Sequence, residues 1–198
     1  GPNANSMRTL NGGWSYSWQG EKTEDFAASY HSIVEAMQDR FGADNVQYVP
    51  GVAYNMQGKY YQDSLVDLNA LTQAASSADY IVVCVGENSY TEKPGDLNDM
   101  NLSLNQQQLI RQSIATGKPV ILILNEGRPL NISAFEPELK GIVELFLPGN
   151  YGGDALADAL IGKINPSGKL PITYPRYVNA LTGYIHKASD EQSNPQGA

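Results

Sequence analysis

Glu87, Glu92, Asp96 and Asp99 lie together in one polar stretch, GENSYTEKPGDLND, with Pro94 and Gly95 as turn formers. Carboxyl groups gathered in this way can hold and pass protons. A glutamic acid that donates a proton near neutrality must have its pKa raised from about 4.3, by desolvation or by a neighbouring carboxylate. Asp96 and Asp99 are close enough in sequence to exert that second influence on Glu92, and they fit equally well as solvated loop charges. The whole stretch also fits a surface loop in which no carboxylate reacts. A second group of chemistry-bearing residues is the opening segment NGGWSYSWQG, where Trp14, Tyr16 and Trp18 crowd into a Gly- and Ser-rich loop. Either these rings plug the end of the core, or they form a platform facing a sugar or another ligand.

The acidic stretch follows the run Tyr80 to Val85, which is uncharged and rich in β-branched residues. Such a run suits a strand covered on both faces, as in a parallel sheet. In open α/β sheets ligands bind beyond the carboxyl ends of the strands, and long loops there are often functional. The loop from Glu87 to Asp99 is therefore the first candidate site.

The other elements alternate around this strand. A helical period runs from Thr23 to Phe41, with Phe26, Tyr30, Ile33, Val34 and Met37 on one face and Gly42 as its stop. Val46 to Val49 reads as a short strand, and Asn55 to Asp63 as a polar connection. Helices are expected over Leu65 to Ala78, Asn105 to Thr116 and Asp154 to Ile161, with a short one near Leu130 to Phe135. Strands are expected over Val120 to Leu124, Ile142 to Leu147 and Leu170 to Tyr174, and Gly1 to Gly20 reads as loop. This alternation predicts an α/β fold, a mostly parallel sheet with helices on both faces. Residues 1–175 form one domain on this reading, and 176–198 an extension or tail with little to bury.

The chain has 198 residues and a formal net charge of −8, with no cluster of lysine and arginine, which argues against a nucleic-acid surface. No apolar stretch is long enough to cross a bilayer. The opening GPNANSMRTL lacks the basic start and apolar core of a signal peptide. Cys84 has no second cysteine to pair with, and its place within the apolar run suits a small buried hydrophobe. With His31 and His186 the only histidines, a zinc site built from His and Cys is not expected. The Gly-rich turns at Gly12-Gly13 and Gly149 to Gly153 contain neither GxGxxG nor a GK[ST] ending, so no nucleotide cofactor is expected.

In order along the chain, NGGWSYSWQG, VGENSYTEKPGD, LNEGRPL, LPGNYGGDALADALIG and NPSGKLPITYP resemble the second domain of glycoside hydrolase family 3, which includes β-glucosidases and β-glucan exohydrolases. The resemblance reaches Pro175. It implies a Rossmann-like, six-stranded α/β sandwich that places an acidic loop over the mouth of a preceding TIM-like barrel, where the nucleophilic aspartate resides. It implies that Glu92, in the YTE triplet, is the general acid/base of a retaining, exo-acting enzyme. It implies also that Trp18, in WQG, lines the aglycone side of the sugar site. No role follows for Trp14 or Glu87, although Glu87 at the strand end suits an anchor that accepts backbone N–H bonds. The implied substrate is a β-linked glucoside or gluco-oligosaccharide, and the implied location periplasmic or secreted. On this resemblance the chain starts just after a first strand of the domain and reads as a fragment that is inactive alone. Uncovered sheet edge would then favour self-association. The alternative is a carbohydrate-binding or scaffold domain of the same fold without catalysis.

Overall fold

A computed structural model describes residues 1–178. The extension expected from residue 176 lies, from residue 179 onward, outside the described residues.

The chain opens with α1 (Met7–Asn11), α2 (Thr23–Phe26) and α3 (Ile33–Phe41), continues through the antiparallel hairpin β1 (Val52–Tyr54) and β2 (Asp63–Leu65), and then forms α4 (Leu68–Ser77). The second half alternates β3 (Ile81–Gly86), α5 (Leu104–Ala115), β4 (Val120–Asn125), β5 (Gly141–Glu144) and α6 (Gly152–Leu160). β3 and β4 pair in parallel from Ile81↔Val120 to Gly86↔Asn125, and β5 continues the sheet in the order β3-β4-β5.

The sequences IVVCVG and VILILN explain this sheet. Both lack charge, and alternate residues feed two different cores. Val83, Val85, Leu122 and Leu124 face Leu71 and Ala75 of α4 and Leu109 and Ile110 of α5. Cys84 and Ile123 face the other way, onto Met7 and Leu10 of α1, Ile33 of α3 and Leu156 of α6. The expected α/β architecture, parallel strands with helices on both faces, is the one observed. Cys84 is buried in the second core.

Several expected elements differ. The opening stretch is not all loop: Ser6 Oγ accepts the Thr9 N–H at 3.3 Å and starts α1, whose Met7 and Leu10 are buried. So short a helix is held by packing rather than propensity. The helical period from Thr23 to Phe41 is split, because Ser32 and Glu35 form a capping box that starts α3 afresh. Phe26, expected on the core face, is exposed and stacks on Tyr16 at 5.2 Å. No strand forms over Val46 to Val49; the chain pairs only after Pro50-Gly51, and Asn55 to Gln62 turns the hairpin. Leu65 ends β2, and Asp67 caps α4 through the N–H groups of Asn69 and Ala70. The helix expected near Leu130 is instead a 3₁₀ turn over Glu136–Glu138. Leu170 to Tyr174 is not a strand. Among the described residues the sheets hold three parallel and two antiparallel strands, where the resemblance implied six.

Candidate functional site

The carboxyl ends of β3 and β4 stop side by side at Gly86 and Asn125, leaving backbone groups that must find partners. Buried carboxamides supply them. Gln106 of α5 accepts the Gly86 N–H at 2.8 Å and donates to its carbonyl at 3.0 Å. Asn3 donates to the carbonyls of Glu87 and Asn125 at 3.1 and 3.2 Å, and its own oxygen accepts the Tyr54 hydroxyl. The exit of both strands is thus fixed before the loops begin.

Glu87, the first residue beyond β3, is buried. It accepts the Arg128 Nε–H at 2.9 Å, the Tyr90 hydroxyl at 2.9 Å and the Gly127 N–H at 3.2 Å. Burial pushes its carboxyl pKa up, while the charge and hydrogen bond of Arg128 pull it back down. Arg128 lies over the Tyr90 ring at 4.3 Å and donates to the Gly95 carbonyl at 2.7 Å. The hydroxyl of Tyr60 reaches the same carbonyl at 3.2 Å. One ion pair therefore ties the start of the acidic loop to its far side. Glu87 is an anchor, as its place at the strand end suggested, with a side-chain cation as its main partner.

The loop from Gly12 to Gly20 docks against this one backbone to backbone. A Cβ on Gly13 would sit 2.5 Å from the Tyr90 carbonyl oxygen, and one on Gly20 would sit 2.3 Å from Ser89 Oγ. Only glycine permits these approaches. Gln19 then grips the acidic loop: its Oε1 accepts the Thr91 N–H at 3.0 Å and its Nε2 donates to the Thr91 carbonyl at 3.2 Å. Ser89 Oγ donates to the Gln19 carbonyl at 2.5 Å.

These loops and the turn after β5 enclose a cleft of ≈ 250 Å³ lined by Gly12, Glu87, Tyr90, Glu92, Gly127 and Leu147, among others. Among the described residues, four that are not glycine have positive φ: Trp14 (60°), Tyr16 (59°), Glu92 (54°) and Phe146 (52°). All four belong to the loops around this cleft. Glu92, with ψ −150°, occupies a region otherwise almost reserved for glycine. Its side chain is exposed at the cleft, and the carbonyl of Glu92 accepts the Gly95 N–H. Trp18 is 50% exposed and Trp14 69%, so neither plugs the core. Trp18 and Glu92 are joined through their neighbours, Gln19 and Thr91, which are directly bonded.

A second carboxyl group sits behind the site. Glu126, the first residue beyond β4, is buried; its Oε1 accepts the Leu130 N–H at 3.0 Å and the Tyr174 hydroxyl at 2.6 Å, and Oε2 has no partner. Tyr174 also contacts Glu144 at the end of β5. One phenol carries one proton to donate, so its contact with the second carboxyl group is favourable when that carboxyl is protonated and donates to the phenol oxygen. Burial, and then the nearby Glu144, push the Glu126 carboxyl up to about 8, against the hydrogen bond from Tyr174. Ionising it in the folded chain is unfavourable, so the stability held below pH 4.5 is lost as pH rises through about 8. Glu126→Gln should remove that loss. Urea unfolding at pH 5 and pH 8.5 should show the variant gaining on the parent by at least ~1.4 kcal/mol, the equivalent of one pKa unit. Parallel profiles would contradict the assignment.

Sequence reasoning missed Gln19, Arg128, Glu126, Glu144 and Tyr174. Arg128 had a signal, since a cation in the turn after a second central strand faces the loop after the first. Gln19 had none, because a carboxamide that reads backbone has no spacing signature. The described residues include no group of three His, Cys, Asp or Glu side chains able to hold a metal ion.

The sequence profile of the glycosyl hydrolase family 3 C-terminal domain matches residues 1–197. The chain is 35% identical to a lysosomal beta glucosidase of Dictyostelium discoideum over 96% of its own length and 23% of that protein. It is 37% identical to a periplasmic beta-glucosidase of Salmonella typhimurium over 65% of its length and 17% of that protein. The crystal structure of a beta-glucosidase from Listeria innocua in complex with isofagomine superposes with a TM-score of 0.71 at 26% identity, covering 88% of this chain and 22% of that one. The chain thus spans about a quarter or less of the length of these proteins.

Proposed function

The chain belongs to the glycosyl hydrolase family 3 C-terminal domains, and we propose that it supplies the general acid/base loop of a retaining, exo-acting β-glucosidase whose nucleophile stands on a separate barrel domain. Glu92 is the acid/base in this reading. Retaining hydrolysis sets two carboxyl groups ~5–5.5 Å apart across the scissile bond. The barrel's carboxylate attacks the anomeric carbon while Glu92 gives its proton to the leaving oxygen. Glu92 then takes a proton from the water that attacks the glycosyl-enzyme. The backbone of Glu92 carries this reading: a bulky, charged residue holds a glycine-like conformation at the rim of a cleft ringed by strained loops. Such strain persists where the surrounding contacts impose it, and it concentrates at functional sites.

The relatives named above support a β-linked glucoside as substrate, and the Salmonella and Dictyostelium proteins support a periplasmic, secreted or lysosome-like location. No helix among the described residues is long and apolar enough to cross a membrane. Hydrolysis of an aryl β-glucoside by the chain, with and without a barrel domain supplied, tests the reading. The chain alone should give no turnover above background, and the pair should. Turnover by the chain alone would contradict a nucleophile held elsewhere.

Trp18 is the aglycone-side platform in this reading, because an exposed indole can cover the apolar face of a pyranose. In the barrel-bearing enzyme, Trp18→Ala should raise KM for oligosaccharides several-fold while thermal stability stays within about 0.5 kcal/mol, as for exposed positions. A large drop in stability with unchanged kinetics would instead assign the indole to the fold.

A further inference from the structure

We propose that Gln19 is a positioning residue for Glu92, an inference that rests on the reading of Glu92 as the acid/base. Thr91, the residue before Glu92, has both of its backbone hydrogen-bonding groups taken by one carboxamide: the N–H by Gln19 Oε1 at 3.0 Å and the carbonyl by Gln19 Nε2 at 3.2 Å. This two-point grip imitates a strand partner and fixes the rotation of the peptide that feeds Glu92. On the other side of Glu92, the Gly95 carbonyl is held by Arg128 and Tyr60. Glu92 lies between these two holds with φ 54° and ψ −150°, a conformation that relaxes if either side is released.

The grip also has a fixed base. Ser89 Oγ donates to the Gln19 carbonyl, and the close approach of Gly20 to Ser89 leaves that loop no room to slide. Trp18 precedes Gln19 directly, so a sugar seated on the indole and the proton donor at Glu92 are set by one rigid unit. A carboxylate displaced by even 1 Å loses up to about 10²-fold in rate. It loses most where proton donation limits the reaction.

The test compares Gln19→Met, which keeps the length and removes both hydrogen bonds, with Glu92→Ala and the double variant in the barrel-bearing enzyme. Amide exchange at Thr91 is followed in the same proteins. Gln19→Met should speed exchange of the Thr91 N–H. It should also slow hydrolysis of an unactivated disaccharide by about 10- to 100-fold, and change glycosylation by an activated aryl glucoside by less than about threefold. In the Glu92→Ala background it should add nothing, since groups that act as a unit are not additive. Equal losses on both substrates, or an undiminished loss in the double variant, would overturn the role of Gln19 while leaving Glu92 in place. A Glu92→Ala variant with no dependence on the leaving group would overturn the reading of Glu92, and this inference with it.

Discussion

Glu92→Ala in the barrel-bearing enzyme should slow hydrolysis of unactivated β-glucosides by about 10²–10⁴-fold, the usual worth of general acid–base assistance. The loss should depend on the leaving group. An alkoxide leaving from a disaccharide needs the proton, whereas an activated phenolate departs without much help. Glycosylation by the activated substrate should therefore survive, and deglycosylation should become limiting because the same residue is then the missing base. Steady-state and burst kinetics on the two substrates separate these steps. The fold gives an independent check on the same residue. Glu92 is held at φ 54°, so Glu92→Gly should be more stable than Glu92→Ala, by a figure on the order of 1 kcal/mol. If the alanine variant is equally active on both substrates, Glu92 is not the proton donor.

The second large effect concerns Arg128. Arg128→Ala leaves Glu87 buried beside the sheet without its cation. Breaking a buried pair from one side typically costs about 3–5 kcal/mol. The guanidinium is partly exposed, so the lower end, about 3 kcal/mol, is expected. Stacking on Tyr90 and the bond to the Gly95 carbonyl are lost at the same time. The deficit should shrink as pH falls toward 5. Burial already holds the Glu87 pKa above its ordinary value, and a protonated Glu87 needs no cation. Glu87→Gln in the Arg128→Ala background should recover part of the loss for the same reason. Denaturant titration of the parent and these two variants at two pH values measures all of this. A change below about 0.5 kcal/mol at every pH would show that the pair does not hold the loop.

How much of this was legible in the sequence depended on the scale of the signal. Runs such as IVVCV and VILIL have no charge and no turn formers, so their two-sided burial could be read directly, and with it the position of the acidic loop. Glu92 and Trp18 were singled out through the YTE and WQG triplets and the family they resemble, and the roles given to them are proposals. Short elements held by tertiary contacts were not. α1 is fixed by Met7 and Leu10 under the sheet, and its Asn- and Ser-rich neighbours look like loop. The break between α2 and α3 is written in Ser32 and Glu35, a capping box inside a helical period that otherwise runs on from Thr23 to Phe41. The clamps on the site were invisible for a different reason. Gln19 grips backbone, which has no sequence, and Glu126 meets Tyr174 only because the segment that carries Tyr174 returns to the ends of β4 and β5.

Azide rescue tests the central claim most directly. A small anion can enter the space left by a missing general base and attack the glycosyl-enzyme without needing proton removal. With an activated aryl β-glucoside, Glu92→Ala in the barrel-bearing enzyme should regain turnover on addition of azide and release a β-glycosyl azide. Glu87→Ala should show neither, because the Glu87 carboxylate is taken up by Arg128, Tyr90 and the Gly127 N–H in holding the loop. A β-glycosyl azide formed by the Glu87 variant and not by the Glu92 variant would reverse the assignment within this loop.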